Sequence, residues 1–123
     1  MTQRVYEITE PRTGQVYTLT LTCYEISISF NIVSKSNEFD IYELSYYFLR
    51  EFQDKHRIYT HFDSAKRIFD ELCSIIELRN FDFIPDEGIL IFRHINSYNE
   101  EMEIIFQLRL FLTQNILDIH CSN

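Results

Sequence analysis

NEFDIYELSYYFLREFQ, residues 37–53, is the stretch where the periodicity of this chain changes. Upstream of it, apolar residues alternate. Within it, Ile41, Leu44, Phe48 and Phe52 recur at spacings of three and four, which lines one face of a helix. Asp40 stands where an N-cap belongs, with Glu43 at the capping-box position three residues on. Phe39 and Leu44 have the spacing of a hydrophobic staple. The spacing therefore predicts a helix here. With a second helix behind it, this helix divides two groups of strands.

The segment before it reads as strand throughout. Tyr17, Leu19, Leu21 and Cys23 alternate with Thr18, Thr20 and Thr22, giving a half-buried strand with a threonine outer face. Tyr24, Ile26, Ile28, Phe30 and Ile32 continue the pattern, with Ser27, Ser29 and Asn31 facing out. Val5, Tyr6 and Ile8 mark a shorter first strand. The join near Cys23–Glu25 has no Gly or Pro, so it is a tight polar turn, a bulge or a bend in one long strand.

After the polar stretch QDKHRIYT, residues 53–60, the sequence THFDSAKRIFDELCSIIELRN gives the second helix. Thr60 with Asp63, or Asp63 alone, is placed to cap it, and Asn80 to end it. Ala65, Ile68, Phe69, Leu72, Cys73 and Ile76 line its apolar face. FDFIPDEGILIF, residues 81–92, then reads as strand, turn, strand. In EMEIIFQLRL, residues 101–110, Met102, Ile104, Phe106, Leu108 and Leu110 share one side. Glu103, Gln107 and Arg109 take the other, with Ile105 the exception. The tail from Phe111 reads as an edge strand or a short helix with Leu112, Ile116 and Ile119 inward.

The expected architecture is one α+β domain over residues 1–123. Its antiparallel sheet of about six strands carries a central two-helix insertion packed on one face, in the order β-β-β-α-α-β-β-β. A small sandwich with the helices plugging one end is the alternative. The two prolines and two glycines form a repeated Pro-x-x-Gly, Pro11 to Gly14 and Pro85 to Gly88. Both copies read as hairpin turns. No glycines remain to cluster into a phosphate-cradling loop, so a P-loop or dinucleotide fingerprint is excluded.

Formal net charge is −8, and the three lysines and eight arginines form no basic run. Nucleic acid and anionic membranes are therefore not expected partners. No leader-like apolar stretch or membrane span is present, and three cysteines fit reduced thiols in a cytoplasmic protein. His56, His61, His94 and His120 match no zinc spacing, so no metal or other cofactor is expected. The carboxylate groups Asp70–Glu71, Asp86–Glu87 and Glu100, Glu101, Glu103 lack the spacing of a calcium loop and read as solvated turns. No nucleophile elbow or Cys–His signature occurs, so no enzyme and no small-molecule substrate are expected. The tyrosines of residues 42–59 are more informative. Tyr42 and Tyr46 project off the drawn core face. With Arg50, Arg57 and Tyr59 they make a candidate protein interface, a setting where Tyr and Arg are enriched.

The segments YTLTL, ISISFNI, FDIYELSYYF, FDSAKRIFDELCSII, FDFIPDEGILIFRHI and NEEMEIIFQLR run in this order from Tyr17 to Arg109. Together they resemble an uncharacterised α+β module that recurs in ciliate and other protist proteins. The element order is more distantly similar to the globular heads of the centriolar cartwheel protein. The resemblance implies an interaction or assembly unit, cytoskeleton-associated in the second case, and it carries over no catalytic residues. The expected function is a non-catalytic protein-interaction or scaffold module whose partner is another protein or a second copy of the chain. The alternative is a small acidic inhibitor that mimics nucleic acid.

Overall fold

A computed structural model of the chain describes residues 1–36, 40–96 and 98–112. The staple residue Phe39, the Leu112 side chain, and the tail 113–123 with Ile116, Ile119, His120 and Cys121 lie outside the described residues. The fold is α+β, and the described residues form two α-helices and eight strands in two antiparallel sheets. The single sheet of about six strands is corrected to one of five and one of three.

Strands β1 (Thr2–Thr9), β2 (Val16–Cys23) and β3 (Ser27–Ser34) form a meander in register. Strand β4 (Asp40–Phe48) pairs with β3, and β8 (Arg109–Leu112) closes the sheet order β1-β2-β3-β4-β8. Strands β5 (Phe81–Ile84), β6 (Ile89–Ile95) and β7 (Glu101–Gln107) make the smaller sheet. Helix α1 (Leu49–Lys55) and a 3₁₀ turn (Arg57–Tyr59) follow β4, and α2 (Ala65–Glu77) follows the turn. The order is thus four strands, two helices, four strands, which corrects the expected three-two-three.

The correction falls on residues 40–48. They are strand, and the helix begins only at Leu49. Ile41, Tyr42, Tyr46, Tyr47 and Phe48 are all residue types that favour a pleated, half-buried surface. Ile28 faces Tyr47 and Phe30 faces Leu44, so Ser45 and Tyr46 together oppose Ser29 in a β-bulge. Tyr46 takes the left-handed conformation at φ 54°, and its N–H donates to Ser29 Oγ at 2.9 Å. Glu51, rather than Glu43, caps the helix that does form, its Oε1 accepting from the Phe48 N–H at 3.3 Å.

Other joins follow the sequence more closely. Tyr24–Ile26 is a tight turn, closed by the Tyr24 N–H on the Ser27 carbonyl at 2.8 Å. Ile26 is therefore turned out to solvent, while Ser27 is buried. Both Pro-x-x-Gly segments are turns with the glycine at positive φ, 73° at Gly14 and 64° at Gly88. Glu10 closes the first turn. Its carboxylate accepts from the Thr13 N–H and Oγ1, both at 2.8 Å, and from Arg12 Nε at 3.0 Å. Burial raises the pKa of that carboxyl, but these bonds outweigh it and hold the group at about 2. Ser64 caps α2 in place of Thr60 or Asp63, its Oγ accepting from the Arg67 N–H at 3.2 Å. Arg79 at φ 60°, in place of Asn80, ends that helix. The Asn80 N–H reaches Ile75 and the Arg79 N–H reaches Ile76, the bond pair of a Schellman motif.

The core lies between the two sheets. Phe30 on β3 meets Phe106 on β7 at 4.9 Å and Phe92 on β6 at 6.4 Å between ring centroids. Tyr17 and Tyr42 of the larger sheet both set an edge on Phe83 of the smaller one. Helix α2 packs on β2, β3 and β6, and buries its whole predicted face together with Ile75. Between β7 and β8 the chain changes sheets at Leu108, whose N–H donates to the Gly88 carbonyl at 2.8 Å. That change of sheet corrects Leu110: it is exposed, while Met102, Ile104, Phe106 and Leu108 point inward as expected.

Candidate functional site

Among the described residues, several nucleophilic and titratable side chains are buried or paired within the fold. Cys23 and Cys73 are free and buried, and burial raises both thiol pKa values, away from the reactive thiolate. Among the described residues no three His, Cys, Asp or Glu side chains gather as a metal site. His94 Nδ1 lies 2.8 Å from Glu71 Oε1, and His61 is exposed. His56 Nε2 and the Tyr47 hydroxyl share a hydrogen bond of 2.8 Å, with the imidazole set among Phe52, Tyr59 and Phe106. A cleft of about 600 Å³ between β1 and β5 is lined by Tyr6, Glu10, Glu77 and Arg79 among others. Its carboxylates are engaged, Glu10 by Arg12 and Thr13 and Glu77 by the Tyr6 hydroxyl.

His56 is expected to give the chain a pH response. Burial first, and then the Lys55 charge, lower its pKa below the ordinary 6.5. Above pH 6.5 the ring is neutral in both states. Below it the unfolded chain takes up the proton first, so stability falls until the folded state is protonated too. The urea midpoint is expected to be lower at pH 5.5 than at pH 7.5. The gap should narrow in His56→Gln, and an unchanged gap in that variant would assign the response to another group.

The predicted interface residues separate. Tyr42 and Tyr59 are core residues, 5% and 0% exposed, which corrects their placement on a surface. Tyr42 points inward from β4 and donates to the Pro85 carbonyl at 3.2 Å. The Tyr59 ring packs on Phe52 and Phe62. Tyr46 is exposed because the bulge turns it outward, where its ring meets Tyr24 at 5.2 Å. Arg50 and Arg57 are exposed. Arg50 lines a shallow cleft of about 590 Å³ with Ile26 and Phe48. A second cleft of about 360 Å³ holds Tyr46 and Ile105 and shares Glu51 and Lys55 with the first.

Ile105 is one of five isoleucines on the outer face of the smaller sheet, of which Ile84, Ile89 and Ile91 are partly buried. On β6 and β7 the residues Leu90, Phe92, Ile104 and Phe106 are buried, so their neighbours in sequence project from the opposite face. Those neighbours include Ile89, Ile91, Ile95 and Ile105, and Ile84 on β5 joins them. Ile84 pairs with Ile89 and Ile91 pairs with Ile105 across the strands. Ile95 and Ile105 are 55% and 52% exposed. The matching face of the larger sheet carries a polar row in register, Thr20, Asn31, Glu43 and Arg109, and one apolar row of Val33, Ile41 and Phe111. Ile84, Ile89, Ile91 and Ile105 are neighbours on this face, and Ile95 stands apart from them beyond Arg93 and Glu103.

Beside the isoleucines Arg93 binds Asp82, and its Nε lies 3.7 Å from Glu101 and 3.6 Å from Glu103. Comparison of the chain with family models, with curated proteins and with solved structures gives no match. The isoleucine face was missed in the sequence because Ile84, Ile89 and Ile91 passed as parts of ordinary strands. The available signal was GILIF, residues 88–92, whose apolar run does not alternate, together with the exceptional Ile105.

Proposed function

We propose that this chain is a non-catalytic protein-interaction or assembly module that docks through the outer face of β5–β7. The observation that carries the reading is the set of five isoleucines facing out of a three-stranded sheet. The surface continues through Ile105 and Tyr46 toward Phe48 and Ile26. Free, buried Cys23 and Cys73 support a cytoplasmic setting, and no described helix is long and apolar enough to cross a membrane. The second reading is a small acidic inhibitor that mimics nucleic acid. It is favoured by residues 81–107, where six carboxylates stand against one arginine.

Affinity purification with mass spectrometry from the parent cell tests the main reading. The double variant Ile91→Lys, Ile105→Lys is compared with Thr20→Lys, Asn31→Lys on the other sheet. Ile105 is exposed, whereas Ile91, Thr20 and Asn31 are partly buried, so urea denaturation of both variants first establishes that each is folded. The first is expected to lose the proteins that the wild type retains, and the second to keep them. Identical recovery by all three would remove the proposed face.

A further inference from the structure

The charge around the isoleucine face narrows what docks on it, given the reading above. Residues 81–107 hold Asp82, Asp86, Glu87, Glu100, Glu101 and Glu103 against Arg93, a net of −5 of the chain's −8. Asp86 and Glu87 are exposed in the β5–β6 turn, at the Ile84 and Ile89 end of the face. The nearby Arg12 is held by Glu10. Glu101 and Glu103 pair across from Ile95 and Arg93 at the other end. The isoleucines Ile84, Ile89, Ile91 and Ile105 are therefore flanked by carboxylates at both ends, with Asp82 beside Ile91, and Arg93 is already shared by Asp82, Glu101 and Glu103.

We infer that the occupant of this face is a protein surface with an apolar centre and a rim of lysine or arginine, and not a second copy of this chain. A two-fold pairing sets one patch against itself. Here it would set Asp86, Glu87, Glu101 and Glu103 against carboxylates of the second copy, and like charges at a closing interface oppose association. A basic rim meets the same carboxylates with opposite sign and adds electrostatic steering to apolar burial.

The test uses three synthetic peptides and NMR titration of the full chain. One is amphipathic, of leucine and lysine. The second replaces its lysines with glutamate. The third keeps the lysines and replaces leucine with serine. The leucine–lysine peptide is expected to shift backbone amides of β6 and β7. Its binding should weaken at least ~10-fold between about 0.05 M and about 0.3 M salt. Glu101→Gln, Glu103→Gln should weaken it by a similar factor, and Ile91→Lys, Ile105→Lys should abolish it. The leucine–glutamate peptide should not bind, and the wild type should sediment as a monomer.

Equal binding of the leucine–glutamate peptide would overturn the basic rim and leave the docking face standing. So would a dimer that Ile91→Lys dissociates. Equal binding of the serine–lysine peptide would replace this inference with a charge-only mimic. Failure of every peptide to touch β6 or β7 would remove the inference and the docking face together.

Discussion

Phe106→Ala is expected to lower the unfolding free energy by about 3–5 kcal/mol, the range for truncating a buried phenylalanine. Phe106 is 1% exposed. Its ring lies 4.9 Å from Phe30 on β3, 5.4 Å from Tyr47 on β4, 5.7 Å from Phe52 on α1 and 5.7 Å from Phe92 on β6. His56 packs on it at 5.1 Å. The side chain thus joins both sheets and the first helix, and neighbours held by four separate elements cannot all relax into the space it leaves. Domains of this size are held by only about 5–15 kcal/mol, so the variant should be marginal at room temperature. Urea denaturation measures the loss, with Ile105→Ala as the control one residue away. Ile105 is half-exposed on the opposite face and should cost under about 1 kcal/mol. A Phe106→Ala cost as small as the control's would mean that the two sheets do not share this core.

The error over residues 40–48 has a physical origin in the bulge. Inward positions on β4 are Tyr42, Leu44 and Tyr47, at spacings of two and then three. Phe52 follows on α1, buried among the same rings. The bulge breaks the alternation of the strand, and the series Ile41, Leu44, Phe48, Phe52 mixes its two faces: Ile41 lies in the outer row with Val33 and Phe111, and Phe48 is 44% exposed. Residue type was the better guide: Ile, Tyr and Phe dominate 41–48, and no alanine, lysine or arginine stands there before Arg50. Where no bulge intervenes, the period was a sound guide. The alternation of β2 put Tyr17, Leu19, Leu21 and Cys23 in the core, and the spacing of α2 named six of its buried residues.

The candidate surface was harder to read than the fold. Burial of Tyr42 and Tyr59 depends on which sheet covers them, and that depends on the division into two sheets at Leu108. No residue at 107–109 is a glycine or a proline that would mark the division. Seen as one continuous strand, residues 101–110 put Leu110 inward and leave Ile105 as an anomaly. Seen as β7 and β8, they make Ile105 part of a face with Ile91 and put Leu110 outside. Of Tyr42, Tyr46 and Tyr59 only Tyr46 is exposed, where the same bulge that hid the strand turns the ring outward.

Gly88→Val is expected to cost about 3–4 kcal/mol, and Gly14→Val only about 1–2 kcal/mol, although both sit at positive φ in the same Pro-x-x-Gly turn. The shared part is the left-handed conformation, which a β-branched residue tolerates poorly. The difference lies in surroundings. A Cβ at Gly14 meets nothing within 4 Å, whereas one at Gly88 meets the Leu108 carbonyl oxygen at 3.0 Å and Gln107 Nε2 at 3.4 Å. That oxygen belongs to the residue where the chain changes sheets, and the Leu108 N–H is bonded to the Gly88 carbonyl. Gln107 also donates to the Glu87 carbonyl at 2.8 Å, and the Tyr42 hydroxyl reaches Pro85. The turn and the crossover therefore hold each other, and room for a side chain at Gly88 comes only by parting them. Urea midpoints of the two variants decide the matter. Equal losses would show that only the dihedral angle counts, and the turn would have no part in fixing where β7 leaves its sheet.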